Sequence, residues 1–211
     1  MNILRARLPK KVAGITVVED PEALSVFIEP ACAGAIWRRK ASPDFQNWVD
    51  SLPPEQLPQG RVVTRADAVS AVVAELCEIA QTPVCRQRDQ LIDDVAALAD
   101  VFSDLMKPPY LRVRLQVVTS NACRKFHTDA LTARLVCTYR GTGTQYGIAT
   151  KGHDPARVFT VPTCAPILLR GTQWPETPAS GLLHRSPPIE GTGETRLVLV
   201  LDPVHSLEDA A

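Results

Sequence analysis

With 211 residues, 45% hydrophobic and 22% charged, the chain can bury one substantial core and has the composition of an ordinary globular protein. Its 23 basic and 23 acidic residues cancel to a formal net charge of zero, which argues against an electrostatic nucleic-acid binder. The stretch from Met1 to Lys11 has charges but no apolar run behind them, and no apolar run approaches the ~20 residues of a membrane-spanning helix. The expectation is a cytoplasmic protein, one domain over residues 1–211, with neither nucleic acid nor membrane as partner.

In chain order, Val12 to Val18, Leu24 to Ile28 and Ala35 to Arg38 read as β-like runs, and Trp37 to Lys40 as a solvated basic edge. Ser42 followed by Pro43 and Asp44 is an N-cap with proline at the first helical position, opening a short helix through Trp48. Leu52 to Gly60 is a loop by composition. Thr64 and Asp67 have capping-box spacing ahead of Val69, Val72, Leu76 and Ile79. A second helical stripe runs through Leu91, Val95, Leu98, Phe102 and Leu105, and the prolines after Lys107 end it. From Tyr110 the pattern turns to strands: Leu111–Val118 alternates apolar and polar residues, then follow Arg134–Tyr139, Arg157–Val161, Pro166–Arg170 and Arg196–Leu201, separated by turns rich in Pro and Gly. An α+β architecture results, with a helix-rich flank at 1–109 packed on an antiparallel β-core at 110–203, a sandwich, jelly roll or barrel.

The chemistry centres on His127-Thr128-Asp129. Positions i and i+2 of a strand share a face, so an imidazole and a carboxylate project together. His184 lies 55 residues after Asp129, and Arg196 twelve residues beyond that opens the apolar terminal strand. Two histidines and one carboxylate with open coordination positions are the facial triad of non-haem Fe(II) oxygenases. Cys123, four residues before His127, offers a rival arrangement: a closed four-ligand zinc site. The other five cysteines (32, 77, 85, 137 and 164) show no Cys-x-x-Cys spacing and read as small buried hydrophobes.

The His-x-Asp pair, the distal histidine and the arginine on the last strand together resemble the 2-oxoglutarate/Fe(II)-dependent dioxygenases of double-stranded β-helix (jelly-roll) fold. That resemblance covers about residues 110–203 and implies His127, Asp129 and His184 as iron ligands, with Arg196 pairing the distal carboxylate of 2-oxoglutarate. Tyr139 is a candidate hydroxyl donor to the same cosubstrate. Taken whole, the chain is also similar to the bacterial family catalogued as domain of unknown function 1826. The residues that carry this are Cys123-Arg-Lys-Phe-His-Thr-Asp129, Arg134-Leu-Val-Cys-Thr-Tyr-Arg-Gly-Thr-Gly-Thr144 and His184-Arg-Ser-Pro-Pro188. Such genes tend to lie beside zinc-homeostasis genes, which implies a link to zinc limitation.

Two functions therefore fit the sequence. One is an Fe(II)/2-oxoglutarate oxygenase hydroxylating an unidentified small molecule or protein. The other is a non-catalytic zinc-binding or metal-homeostasis protein using the same residues. Arg124, Arg134, Arg140 and Arg185 crowd the motif and would suit an anionic substrate or cosubstrate. His153 and His205 read as solvated. The Gly141-Thr-Gly-Thr144 run lacks the ending of a phosphate loop, and Ser186 lacks the context of a hydrolase nucleophile.

Overall fold

The computed structural model describes residues 11–12, 14–30, 32–149, 153–175 and 181–210. Eleven strands lie among them: β1 (Lys11–Val12), β2 (Ile15–Val18), β3 (Gly34–Trp37), β4 (Gly60–Thr64), β5 (Tyr110–Val118), β6 (Ala133–Arg140), β7 (Gln145–Ile148), β8 (Phe159–Thr160), β9 (Pro166–Arg170), β10 (Leu182–Arg185) and β11 (Arg196–Val204). The α-helices are α1 (Pro43–Ser51), α2 (Val69–Ile79) and α3 (Arg86–Met106).

Eight strands form one sheet in the order β1-β2-β3-β9-β6-β11-β5-β4, and three form a second in the order β10-β7-β8. The core of the large sheet, β9-β6-β11-β5, is antiparallel throughout. His127 adds a single antiparallel bridge to His184 at the edge of β10, giving the small sheet the beginning of a fourth strand. The antiparallel four-strand core of the large sheet facing this smaller sheet is the arrangement of a jelly roll, or double-stranded β-helix.

Strand alternation divides the sheet's two faces between two cores. Leu111, Val113, Leu115, Leu135, Cys137, Tyr139, Leu197, Leu199 and Leu201 join Val73, Leu91, Val95, Leu98 and Phe102 in the layer under the helices. Val136, Ile167, Leu169, Val198 and Val200 face Tyr146 and Leu182 of the small sheet. The helices thus cover the back of the large sheet, and the interior of the β-helix opens on the other side. α3 buries Leu91, Val95, Leu98 and Phe102, as its 4-3-4 spacing predicts, and stops where Lys107 turns left-handed (φ 50°) before Pro108.

Several elements differ from the sequence reading. The flank before residue 110 is not only helical, because β1 to β4 lie in it and hydrogen-bond into the large sheet. Leu24–Ile28 is no strand but part of a 3-10 helix (Glu22–Ile28) entered from Pro21, with Leu24 and Phe27 buried three residues apart as that geometry requires. Thr64 does not cap a helix. As the last residue of β4 it pairs with Leu111 of β5, and α2 starts only at Val69, after a 3-10 turn at Ala66–Ala68, without a side-chain cap. Val73 and Cys77, not Val72 and Ile79, share the buried face of α2 with Val69 and Leu76. α1 begins as expected, with the Ser42 hydroxyl accepting from the Phe45 N–H, and continues to Ser51. The basic edge at Trp37–Lys40 is only partly solvated, since Arg39 is held by Asp94 at 2.5 and 2.6 Å and stacks on Trp37. The charged stretch from Met1 to Lys10 lies outside the described residues.

Candidate metal centre and its surroundings

His127, Asp129 and His184 converge so that one ligand atom from each lies within 4.8 Å of the others. The convergence does not arise from a regular strand. Residues 119–132 are irregular apart from the His127 bridge, whose two backbone hydrogen bonds to His184 are both 3.0 Å long. These bonds place the two imidazoles side by side, ring centroids 4.5 Å apart. Asp129 is positioned by its own loop: its carbonyl accepts from the Thr172 N–H at 2.8 Å, and Gly171 donates to the Thr132 carbonyl at 2.9 Å. A β-carbon on Gly171 would sit 1.9 Å from the Leu131 carbonyl oxygen and 2.7 Å from that of Asp129, so only glycine permits this approach.

The ring orientations suit a metal. His127 Nδ1 lies 2.9 Å from the Lys125 carbonyl; as the N–H donor there, it leaves Nε2 free to ligate. That Nε2 is 3.5 Å from Asp129 Oδ1, and His184 Nε2 is 3.1 Å from Oδ2. Asp129 Oδ2 is buried with no hydrogen-bond partner of good geometry. A buried carboxylate oxygen and imidazole nitrogens with their lone pairs turned inward repel one another unless a cation stands between them. The donor set therefore fits a divalent metal with open positions. Burial works to raise the Asp129 pKa, but the two histidines and the Arg134 charge outweigh it and hold the carboxyl well below its usual range. The contact with Asp129 raises the His127 pKa.

Behind the triad, Arg134 on β6 donates to Asp129 Oδ1 at 2.6 Å and grips Asp202 on β11 at 2.6 and 2.8 Å. A bidentate clamp on the buried Asp202 fixes the guanidinium, which in turn fixes the Asp129 carboxylate. Nothing in the spacing of Arg134 and Asp202, 68 residues apart, points to this pairing before the strands are aligned.

Arg196 is 1% exposed on the same interior face. Its Nε donates to the Thr142 carbonyl at 2.7 Å, and its terminal nitrogens lie 3.4 Å from Ser186 Oγ and 3.5 Å from Thr138 Oγ1. Among the described residues no carboxylate pairs with it. Burial pushes its pKa down to about 10, so the group stays charged at neutral pH. The Glu194 charge acts on it without a direct ion pair, and a buried guanidinium whose hydrogen-bond partners are all neutral is a place for an anion.

Other predicted residues lie elsewhere. Tyr139 faces the helices, where its hydroxyl donates to Asp94 at 2.6 Å beside a cavity of about 130 Å³ lined also by Arg39 and Cys164. It is no donor to a cosubstrate in the β-helix interior. Strand alternation already sets it opposite Arg134 and Thr138. Arg140 follows it to the helical side, because Leu197 and Val198 of β11 pair with Arg140 and Thr138, leaving Tyr139 as the extra residue of a β-bulge. There Arg140 donates to the Leu52 carbonyl. Arg185 stacks on Phe126 and bonds Gln145, while Arg124 is exposed. Of the four arginines picked out in sequence, only Arg134 contacts the triad. Cys123 is exposed and outside the triad's cluster, because the chain before His127 is not a strand and the even-spacing argument does not apply. The cluster among the described residues thus has three members, without Cys123. His153 and His205 are exposed.

Fold and side-chain cluster together define a double-stranded β-helix protein with a two-histidine, one-carboxylate centre in its mouth. Among solved structures, the chain is similar to dioxygenase for auxin oxidation 1 from Arabidopsis thaliana in its 2-oxoglutarate complex. The identity is 9% over 93% of this chain and 94% of that one, with a TM-score of 0.54, a likeness of fold. Also similar are the rice dioxygenase for auxin oxidation (13%, 87% and 78% covered, TM-score 0.48) and a 2OG-Fe(II) oxygenase family oxidoreductase from Burkholderia pseudomallei (11%, 93% and 98%, 0.44). No curated protein matches the sequence significantly. Residues 18–202 match the family described as protein of unknown function DUF1826, and the chain belongs to that family. No helix among the described residues is long and apolar enough to cross a membrane.

Proposed function

We propose that the protein is an Fe(II)- and 2-oxoglutarate-dependent oxygenase. His127, Asp129 and His184 would hold the iron, and Arg196 with Thr138 and Ser186 would hold the far carboxylate of 2-oxoglutarate. When bound, iron and 2-oxoglutarate supply an oxidant from O2, so that C–H becomes C–OH while 2-oxoglutarate leaves as succinate and CO2.

The chain's own residues supply placement. Lys125 keeps the His127 proton on Nδ1, away from the metal side. Arg134 holds Asp129 in a single orientation. The apolar wall of Val136, Val198 and Val200 keeps water scarce between the sheets. The helices cannot serve as a lid over this centre, for they pack on the reverse of the large sheet.

One observation carries the reading: a fully buried arginine that forms no ion pair among the described residues lies in the same β-helix as a histidine–aspartate–histidine cluster. A structural ion pair would bring its own carboxylate, and a closed zinc site would have no use for Arg196. The test is iron-dependent conversion of 2-oxoglutarate to succinate, measured without added substrate as the slow uncoupled reaction and compared with His127→Ala. Neither turnover nor 2-oxoglutarate binding by the iron-loaded protein would refute it. Zinc binding with no response to 2-oxoglutarate would favour the metal-homeostasis reading instead.

A further inference from the structure

The edge of the large sheet next to the metal centre has a feature that iron and 2-oxoglutarate leave unexplained. Arg112 and Arg114 are alternate residues of β5, and Arg61 of β4 pairs directly with Arg114. Across β5, Arg114 pairs with Val200 and Arg112 with Asp202 of β11. Pairing across a pleated sheet keeps partners on one face, so Arg61, Arg112 and Arg114 all project to the side of Val200, Asp202 and Arg134, the interior of the β-helix.

Among the described residues, no carboxylate forms an ion pair with Arg114 or Arg61 on this face. Asp202 is already taken by both donors of the Arg134 fork, and Asp129 by Arg134 and the triad. Arg114 is half-buried, its Nε is shielded from solvent without a hydrogen-bond partner, and no ion pair reaches it among the described residues. Burial, then the neighbouring charges of Arg134 and Arg61, disfavour its charged form, and Asp202 and Asp129 only partly offset them. Like charges directly opposite each other in an antiparallel pair are destabilising, and a lone one is ordinarily turned to solvent. Here the two guanidinium groups share the sheet face of Arg134 and Arg196, and Arg114 pairs with Val200, four residues along β11 from Arg196.

Resting on the oxygenase reading, we infer that the substrate is a small molecule carrying an oxyanion, a carboxylate or a phosphate, which Arg114 and Arg61 grip while the rest of it reaches towards the metal. Planar guanidinium forks match both oxyanions, and binding one would satisfy the orphaned donors and remove the repulsion between the two strands. Arg196 is reserved for the cosubstrate, so the two anions bind separate arginines.

The experiment titrates the metal-free 211-residue chain calorimetrically with phenyl phosphate and with benzoate, neither of which needs the metal. Saturable binding of either probe is expected, weakened about tenfold or more by Arg114→Gln and measurably by Arg61→Gln, with Arg196→Met leaving it in place. Preference for one probe assigns the oxyanion. Arg61 is exposed on an edge strand, so its variant keeps the test decisive even if Arg114→Gln fails to fold. No saturable binding of either probe, or unchanged affinity in both arginine variants, overturns the inference. Failure of the underlying oxygenase reading shows separately, as absence of 2-oxoglutarate binding by the metal-loaded wild type.

Discussion

Replacing Arg134 by Met separates the two tasks assigned to that side chain. Its guanidinium neutralises Asp202, whose side chain is only 4% exposed, and orients Asp129. Removing one partner of a buried ion pair strands the other charge at a cost of about 3–5 kcal/mol, a large part of the ~5–15 kcal/mol that stabilises a typical domain. Loss of the orienting donor should also lower metal affinity roughly 10- to 100-fold. Urea unfolding of metal-free protein reads the first effect, and calorimetric Mn(II) titration reads the second. The double variant Arg134→Met with Asp202→Leu replaces the pair by packed apolar groups and should regain most of the stability, to within about 1–2 kcal/mol. It should not regain metal affinity, because Asp129 Oδ1 still lacks its donor. If the single variant binds Mn(II) like wild type, or the double variant is no more stable than the single one, the account of Arg134 as both counter-ion and positioning residue is wrong.

Three further outcomes are expected. Cys123→Ala should leave Zn(II) and Mn(II) affinity unchanged, whereas His184→Ala abolishes tight binding of both, as calorimetry would show; a loss in the cysteine variant would restore the four-ligand site. Arg196→Met should weaken 2-oxoglutarate binding by about tenfold or more, the worth of charge-assisted hydrogen bonds, while Tyr139→Phe leaves it untouched and costs about 1 kcal/mol of stability through the lost bond to Asp94. Gly171→Ala should push the Asp129–Leu131 backbone away and lower metal affinity with a smaller effect on the fold; equal metal affinity would show that the Asp129 loop is not set by this contact.

The elements that were legible in sequence are those whose pattern is local. The α3 stripe, the Ser42 cap, the alternation of β5 and the apolar run of β11 each follow from spacing alone, because burial of one face imposes a period on the chain. β4 and β10 were missed for the opposite reason. Gly60–Thr64 and Leu182–Arg185 are five and four residues long, and they become strands because β5 and β7 offer free edges. Leu24–Ile28 has strand composition yet folds as a 3-10 helix once Pro21 and the buried pair Leu24 and Phe27 set its geometry.

The candidate site divides in the same way. Residue type and order were enough to select His127, Asp129, His184 and Arg196, since few side chains bind metals or paired oxyanions and these stand at intervals a β-helix can close. Only the tertiary structure decided what surrounds them. It placed Tyr139 and Arg140 behind the sheet through alternation and a bulge, and it kept Cys123 outside the cluster by leaving residues 119–126 irregular. It also joined Arg134 to Asp202 and lined up Arg61 with Arg114. The physical reason is register. Which side chains face one another across a sheet depends on strand pairing between distant segments, and a shift of one residue would send each of them to the other face.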